Sequence, residues 1–158
     1  MILFHATRDT LQVGQVVTAQ QETLFYPDAV AAFEHARPTD ASSRSICLFA
    51  ADTLIACCEF MRAQLVGNFR IYKVDMPKCS VGPFCIAHEV SARIKAGRPY
   101  EGLVDEYWAP GCEWNFLEYF GSQFSVLELI VDCPSLIEST SFRISYDADV
   151  AQVRRLCA

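Results

Sequence analysis

The chain has 158 residues, of which 52% are hydrophobic and 12% aromatic, a size and composition typical of one compact domain spanning residues 1–158. Its formal net charge is −6 and its pI is about 5.0, so it lacks the general excess of Lys and Arg with which proteins neutralise nucleic-acid phosphates. This balance excludes a broadly basic nucleic-acid-binding protein, although a local basic patch stays open.

Eight cysteines could form a disulfide framework, but a chain of this length does not need cross-links in order to fold. Cys57 and Cys58 are adjacent in an apolar, helix-like run, where we expect both to be packed as thiols. Met1 leads directly into an apolar strand without the basic start of a signal peptide, and no run of 18 apolar residues occurs. We expect mostly reduced cysteines and a cytoplasmic location, or delivery into a target cell's cytoplasm.

The first third of the chain predicts a strand, a helix and a second strand. Residues 2–5 form an apolar strand, and the polar stretch 15–23 is an exposed strand or a loop. Pro27 and Asp28 favour the start of a helix, which Arg37-Pro38 ends. A polar loop over 39–44 then leads into a strand over 45–49.

The middle of the chain predicts a helix over 52–65, because Leu54, Cys58, Met61 and Leu65 recur at helical spacing. Phe60 lies well off this stripe and must face something other than the main core. A strand follows over 69–76, and its apolar phase changes between Ile71 and Tyr72. This change predicts a bulge or burial on both faces.

The last half predicts alternating helices and strands. The expected helices are 85–96, closed by Gly97, then 99–108, and 147–156 with Asp147 as its N-cap. The expected strands are 114–120, 125–131 and 139–146, of which 125–131 has the continuous apolar character of a central strand. With no internal repeat and no clear linker, the sequence predicts a single α+β domain.

Three short motifs resemble those of mono-ADP-ribosyltransferases of the diphtheria-toxin type. That family carries Tyr-His-Gly-Thr or a close variant on its first strand, and here the segment is Phe4-His5-Ala6-Thr7. A pair of tyrosines with ten residues between them is matched by Phe49 and Phe60, which keep the spacing and lose the hydroxyls. The third motif is a catalytic glutamate in a late strand, which we place at Glu118, between Leu117 and Tyr119.

The match to the family pattern departs at Ala6 and leaves more than one candidate for the acid. Ala6 replaces the glycine of the first motif, which would crowd a backbone contact with the ligand. For the acid, Glu113 and Glu128 are alternatives to Glu118, since Glu113 begins the same predicted strand and Glu128 interrupts an apolar one. A buried Glu118 would be costly without a partner or a purpose.

The resemblance implies a fold of two small packed antiparallel or mixed sheets flanked by helices, and an enzyme that uses NAD as a substrate. His5 would hydrogen-bond the adenosine ribose, the backbone near Ala6 would bind the nicotinamide amide beside Thr7, and Phe49 and Phe60 would hold the cationic ring. Glu118 would stabilise the ribosyl cation formed as nicotinamide leaves. Chains of this size resemble bacterial or phage effectors and toxin modules, and the acceptor of the ADP-ribose cannot be predicted from the residues.

The residues give less support to a metal site, to another enzyme class or to a non-enzymatic role. Cys79, Cys85, His88 and Cys112 could in principle bind zinc, but their spacing matches no common zinc motif, so we predict no metal. An RNA 2'-phosphotransferase-like enzyme on the same fold would require a basic groove, which the acidic balance disfavours. A non-enzymatic binding module, such as an inhibitor or immunity protein with an exposed aromatic surface, is the alternative outside enzyme chemistry.

Overall fold

The computed structural model describes residues 1–63, 69–132 and 140–157. In these ranges seven strands form two antiparallel sheets, and five helices pack with them, so the chain is α+β as the sequence predicts. The strands are β1 (Ile2–Thr7), β2 (Val16–Thr18), β3 (Leu48–Ala50), β4 (Arg70–Asp75), β5 (Ser80–Pro83), β6 (Leu117–Gly121) and β7 (Gln123–Asp132). The helices are α1 (Pro27–His35), α2 (Leu54–Ala63), α3 (Phe84–Lys95), α4 (Glu101–Trp108) and α5 (Thr140–Leu156).

The larger sheet has four strands in the order β1-β4-β7-β2, with every neighbouring pair antiparallel. The predicted irregularity in β4 is confirmed, because the register with β7 shifts between Ile71 and Tyr72. The apolar strand β7 occupies an interior position, as expected for its composition. Leu127 and Leu129 are nevertheless exposed on it, since one face of an antiparallel sheet can meet solvent.

The smaller sheet has three strands in the order β3-β6-β5. Reciprocal backbone hydrogen bonds between Phe4 and Ala51, at 2.8 and 2.9 Å, join it to β1 of the larger sheet. The sequence did not predict β5, whose Gly82 and Pro83 are typical of turns. Gly82 has a packing role here, because a Cβ at this position would collide with the ring of Tyr107.

Two helices follow their sequence signals closely. Pro27 and the acidic Asp28 stand in the first turn of α1, and Phe33 is fully buried on its inner face. Helix α3 ends where Gly97 adopts a left-handed φ of 61°, which glycine accepts without steric cost. Helix α2 agrees with the predicted helix 52–65 over its described length, and Leu65 lies outside the described residues.

The prediction for the C-terminal segment was confirmed for the helical residues 147–156 and wrong for the residues before them. Instead of a strand over 139–146 and a helix capped by Asp147, one helix runs from Thr140 to Leu156, and Asp147 lies exposed within it. Tyr146, Val150 and Val153 are spaced four and three residues apart and pack against the main core on one helical face. Because these contacts recur at helical spacing, the segment forms a helix despite its local β-propensity.

The core has two apolar clusters, a larger one among the helices and a smaller one under the four-stranded sheet. Cys57 and Cys58 are buried in the larger cluster, as expected. None of the helices in the described part of the chain combines the length and the apolar run that crossing a membrane requires.

Candidate functional site

A cavity of about 420 Å³ opens where β1, β3 and α2 meet the loop between β2 and α1. Its volume is within the range of about 300–1,000 Å³ that is usual for small-molecule sites. Four residues singled out in the sequence, His5, Ala6, Phe49 and Phe60, line it together. Three separate segments of the chain therefore bring these side chains to one place.

The imidazole of His5 is fixed by the neighbouring strand. Its Nδ1 lies 2.7 Å from the carbonyl oxygen of Phe49, and its ring packs on Phe124 with centroids 4.6 Å apart. A carbonyl oxygen only accepts, so Nδ1 carries the proton and Nε2 is left as a hydrogen-bond acceptor. Burial lowers the pKa of His5 below its usual 6.5, an effect that the Phe49 hydrogen bond and the charge of Asp9 offset only in part. The ring is therefore neutral at neutral pH.

Of the residues next to His5, Ala6 lines the cavity and Thr7 does not. The hydroxyl oxygen of Thr7 accepts a hydrogen bond from the backbone N–H of Asp9 at 3.1 Å. Thr7 therefore shapes the turn that follows β1, and its ligand-binding role stays a prediction.

A third aromatic residue, Phe25, joins the predicted pair, and sequence reasoning missed it. The Phe25 ring lies edge-on to Phe49, with centroids 5.2 Å apart, and edge-on to Phe60 at 6.3 Å. Phe60 also packs on Phe84 at 4.1 Å, which fixes it from the core side. Phe25 is only partly buried; it follows a polar stretch and precedes a helix, a position in which the sequence offers no periodic signal for a packed ring.

The polar part of the cavity wall comes mainly from the loop after β2. Residues 18–23 contribute two threonines, two glutamines and Glu22, and β1 leads into Asp9. Asp9 and Glu22 are the two carboxylates of the wall, and both side chains are exposed. Lys and Arg do not occur among the residues that line the cavity in the described part of the chain.

Glu118 does not line the cavity; it forms a fully buried ion pair with Arg44. Both side chains are 0% exposed, and Oε1 of Glu118 accepts hydrogen bonds from Arg44 Nε at 2.9 Å and Nη2 at 2.8 Å. Burial acts to lower the pKa of Arg44, but the charge and hydrogen bonds of Glu118 and Tyr107 outweigh it and raise the pKa overall. The expected partner of a buried Glu118 is thus an arginine from the predicted polar loop.

Tyr107 completes this buried group. Its hydroxyl donates to Glu118 Oε1 at 2.6 Å and accepts from Arg44 Nε at 3.2 Å. Burial and the nearby carboxylate of Glu118 raise the pKa of Tyr107 well above its usual 10, so the phenol stays protonated. All these contacts use Oε1, and Oε2 of Glu118 is the one buried side-chain oxygen or nitrogen without a hydrogen-bond partner among the described residues.

Arg44 also connects Glu118 to the cavity wall. Its Nη1 donates to the carbonyl oxygen of Phe25 at 3.2 Å, and its guanidinium carbon lies 5.1 Å from the ring centroid of Phe49. The ion pair therefore stands directly behind two of the aromatic residues that line the cavity.

The alternative acids lie outside the cavity, and the candidate metal ligands do not form a cluster among the described residues. Glu113 and Glu128 are exposed, and neither lines the cavity. Across the described ranges, no three His, Cys, Asp or Glu side chains cluster as a metal site, so the residues Cys79, Cys85, His88 and Cys112 are not brought together.

Two thiols in the cavity wall are poor nucleophiles. Burial raises the pKa of Cys47 to about 12, and burial together with neighbouring Cys58 raises the pKa of Cys57 further. Because the thiolate is the reactive form, both cysteines serve as apolar wall at neutral pH.

Comparison with known protein families and with curated proteins gives no match to this chain. The wall of the cavity itself indicates what it can bind: it has a neutral imidazole with one free acceptor, three aromatic rings and a polar rim that carries two exposed carboxylates. Such a wall suits a ligand with a flat ring and hydroxyl groups.

Proposed function

We propose that the cavity binds NAD and that the chain transfers ADP-ribose from it to an acceptor, on an ADP-ribosyltransferase-like fold. In this reaction the bond between ribose C1' and the nicotinamide nitrogen breaks, nicotinamide leaves as a neutral ring, and the acceptor bonds to C1' and releases its proton to solvent. The observation that supports the proposal is the convergence of His5, Ala6, Phe49 and Phe60 on one cavity. The reaction would take place in a cytoplasm, where NAD is abundant.

The aromatic wall supports the nicotinamide part of the proposal. A cationic ring is attracted to the faces of aromatic side chains, and Phe49 and Phe60 line the cavity from β3 and α2. Losing the tyrosine hydroxyls of the family pattern leaves this attraction intact. The resemblance implies a contact of the nicotinamide amide with the backbone near Ala6, which lines the same cavity.

His5 supports the ribose part. Its Nδ1 is engaged by Phe49, so Nε2 of the neutral ring can accept a hydrogen bond from a ribose hydroxyl. The lowered pKa of His5 favours this acceptor form at neutral pH. The resemblance assigns the same residue the same task.

The geometry limits which carboxylate can stabilise the ribosyl cation. A ribosyl cation needs a fixed negative charge near C1', and Glu118 does not line the cavity, so it meets this need only after a rearrangement that brings its carboxylate to the ligand. Its unpartnered Oε2 is the group that would face the sugar. Glu22, whose carboxylate already lines the cavity, is the alternative acid.

The test is release of nicotinamide from NAD by the purified chain, together with NAD binding measured by calorimetry. We expect Glu118→Gln to retain NAD binding and to lose at least about 100-fold in nicotinamide release, the effect expected when a group that stabilises transition-state charge is removed. Gln keeps an oxygen for Arg44 and Tyr107 but removes the charge that balances Arg44, so a urea unfolding curve establishes that the variant is folded under the assay conditions.

Two further glutamate-to-glutamine variants identify which acid acts. Glu128→Gln is the matched control, because this acid is exposed and outside the cavity, and it should keep full activity. Loss of release in Glu22→Gln, with full release in Glu118→Gln, would transfer the acid role to Glu22. A wild-type chain that neither binds NAD nor releases nicotinamide would exclude the proposed function.

A non-enzymatic binding module is the second candidate, and the observation that favours it is the burial of Glu118 away from the cavity. Such a chain would bind a ligand or protein without consuming NAD. The RNA 2'-phosphotransferase-like alternative is weaker, because it requires a basic groove and the described cavity wall has no Lys or Arg.

A further inference from the structure

We propose that Phe25 is a movable aromatic plug, which fills the ring-binding slot between Phe49 and Phe60 and must swing out before a flat ring can enter. This proposal rests on the proposed function and adds its regulation: in the conformation described here the cavity is present, and the Phe25 ring fills the slot on its aromatic side. Three observations carry it, namely the position of the Phe25 ring, the attachment of its backbone and the conformation of the residue that follows.

The position of the ring is the first observation. Aromatic rings in contact have centroids about 4.5–7 Å apart, so a flat guest held by two aromatic side chains must lie within that distance of both. Phe25 lies 5.2 Å from Phe49 and 6.3 Å from Phe60. Phe25 therefore makes edge contacts with both rings from a position that a flat guest held by the same two side chains could take.

The attachment of the backbone is the second observation. The N–H of Phe25 donates to the hydroxyl of Thr23 at 3.2 Å, and its carbonyl accepts from Arg44 Nη1 at 3.2 Å. Both lengths are at the upper end of the usual range for hydrogen bonds, and neither bond belongs to a helix or a strand. The backbone pairing of regular secondary structure therefore does not hold Phe25 in place.

Tyr26 supplies the third observation. It has a φ of 52°, in the left-handed region, and it is the one non-glycine residue with a positive φ in the described ranges. Side chains other than glycine, Asn and Asp rarely hold this conformation. Rotation at Tyr26 would relieve the strain and carry Phe25 with it, while α1 stays in place from Pro27 onwards.

Movement of Phe25 also bears on the buried acid. It breaks the bond from Arg44 Nη1 and removes the aromatic residue that the ion pair contacts through its backbone. One displacement thus opens the ring slot and removes one hydrogen bond from the guanidinium that pairs with Glu118.

The experiment uses benzamide, a flat ring with a carboxamide and no nucleotide, and ADP-ribose, a nucleotide without the ring. We expect Phe25→Ala to bind benzamide at least about tenfold more tightly than the wild-type chain, because no side chain competes for the slot. ADP-ribose affinity should change less than threefold. Leu129→Ala, on the exposed face of β7 and outside the cavity, should match the wild type for both probes.

Equal or weaker benzamide binding by Phe25→Ala would overturn the proposal, since Phe25 would then be a fixed part of the wall. Phe25→Leu, which removes the ring and keeps most of the apolar volume, gives the same comparison if the alanine variant does not fold. In the wild-type chain, saturating benzamide should shift the NMR signals of a selectively labelled Phe25 ring towards solvent-exposed values; unchanged signals would equally overturn the proposal. None of these readouts needs NAD cleavage, so they stay interpretable if the proposed function fails.

Discussion

The side chain of His5 is bound to the main chain of Phe49, with Nδ1 2.7 Å from the carbonyl oxygen. This bond couples β1 of the four-stranded sheet to β3 of the smaller sheet at the edge of the cavity. The two ring nitrogens therefore divide their roles: Nδ1 holds the two strands together, and Nε2 stays available to accept a hydrogen bond from a ligand.

That division can be tested with His5→Asn and His5→Gln. The amide nitrogen of Asn can take the place of Nδ1, so His5→Asn should lose less than about 1.5 kcal/mol of unfolding free energy and should lose most NAD binding. Gln reaches towards Nε2 and should keep more of the binding at a larger cost in stability. Urea unfolding and calorimetry measure the two quantities, and an identical pattern for both variants would contradict the division.

The pH dependence of stability should carry a His5 contribution. The pKa of His5 is lowered in the folded chain relative to 6.5 in the unfolded one, so the unfolded chain binds more protons below that pH. The contribution of His5 is complete above about pH 6.5 and is lost as the pH falls towards the folded-state pKa, at no more than about 1.4 kcal/mol per pH unit. Urea unfolding at pH 8.0, 6.5 and 5.0 should give a steeper acid loss in the wild type than in His5→Asn; parallel curves would contradict this account.

The Arg44–Glu118 pair should show strong coupling in a double-mutant cycle. Removing one partner leaves an uncompensated buried charge, so Arg44→Met and Glu118→Leu should each cost about 3–5 kcal/mol. The double variant should cost clearly less than the two single losses combined. The partly exposed pair Arg93–Glu89 is the control, with a coupling below about 1 kcal/mol. Additive losses at Arg44 and Glu118 would show that the pair does not act as a unit.

Two glycines should respond in opposite ways to alanine. Gly82→Ala places a methyl group against the ring of Tyr107 and should destabilise the chain by about 1–3 kcal/mol, because strand β5 cannot move away from β6 without losing its pairing. Gly102→Ala meets open space on helix α4 and should be neutral or stabilising by up to about 1 kcal/mol. Thermal unfolding measures both changes, and a stable Gly82→Ala would refute the close approach of Tyr107.

Local signals in the sequence predicted much of the fold. Pro27 with Asp28, and Gly97, mark the ends of α1 and α3 by backbone chemistry that acts within one turn. The phase change at Ile71 and Tyr72 gave the bulge, because side-chain alternation is fixed by the strand itself. The part of helix α5 up to Tyr146 was predicted as a strand because its apolar residues also fit a two-residue alternation, and only packing against the core decides between the two periods.

The candidate site was predicted as a set of residues and not as a geometry. The resemblance to the family's motifs singled out His5, Phe49 and Phe60, which the structure brings to one cavity. No local pattern reports that Arg44, 74 residues away, binds Glu118, or that the ring of Phe25 lies between two others. These contacts depend on how the two sheets and the loop after β2 pack, which is information carried by the whole chain.

The buried pairing of positions 44 and 118 also limits how this chain can diverge. A change of either residue alone leaves the charge of the other buried without a partner, whereas replacement of both by apolar residues of similar size could be tolerated. Related sequences, if they share this architecture, should therefore alter the two positions in concert or leave both untouched, and that covariation could be seen without any assay of activity.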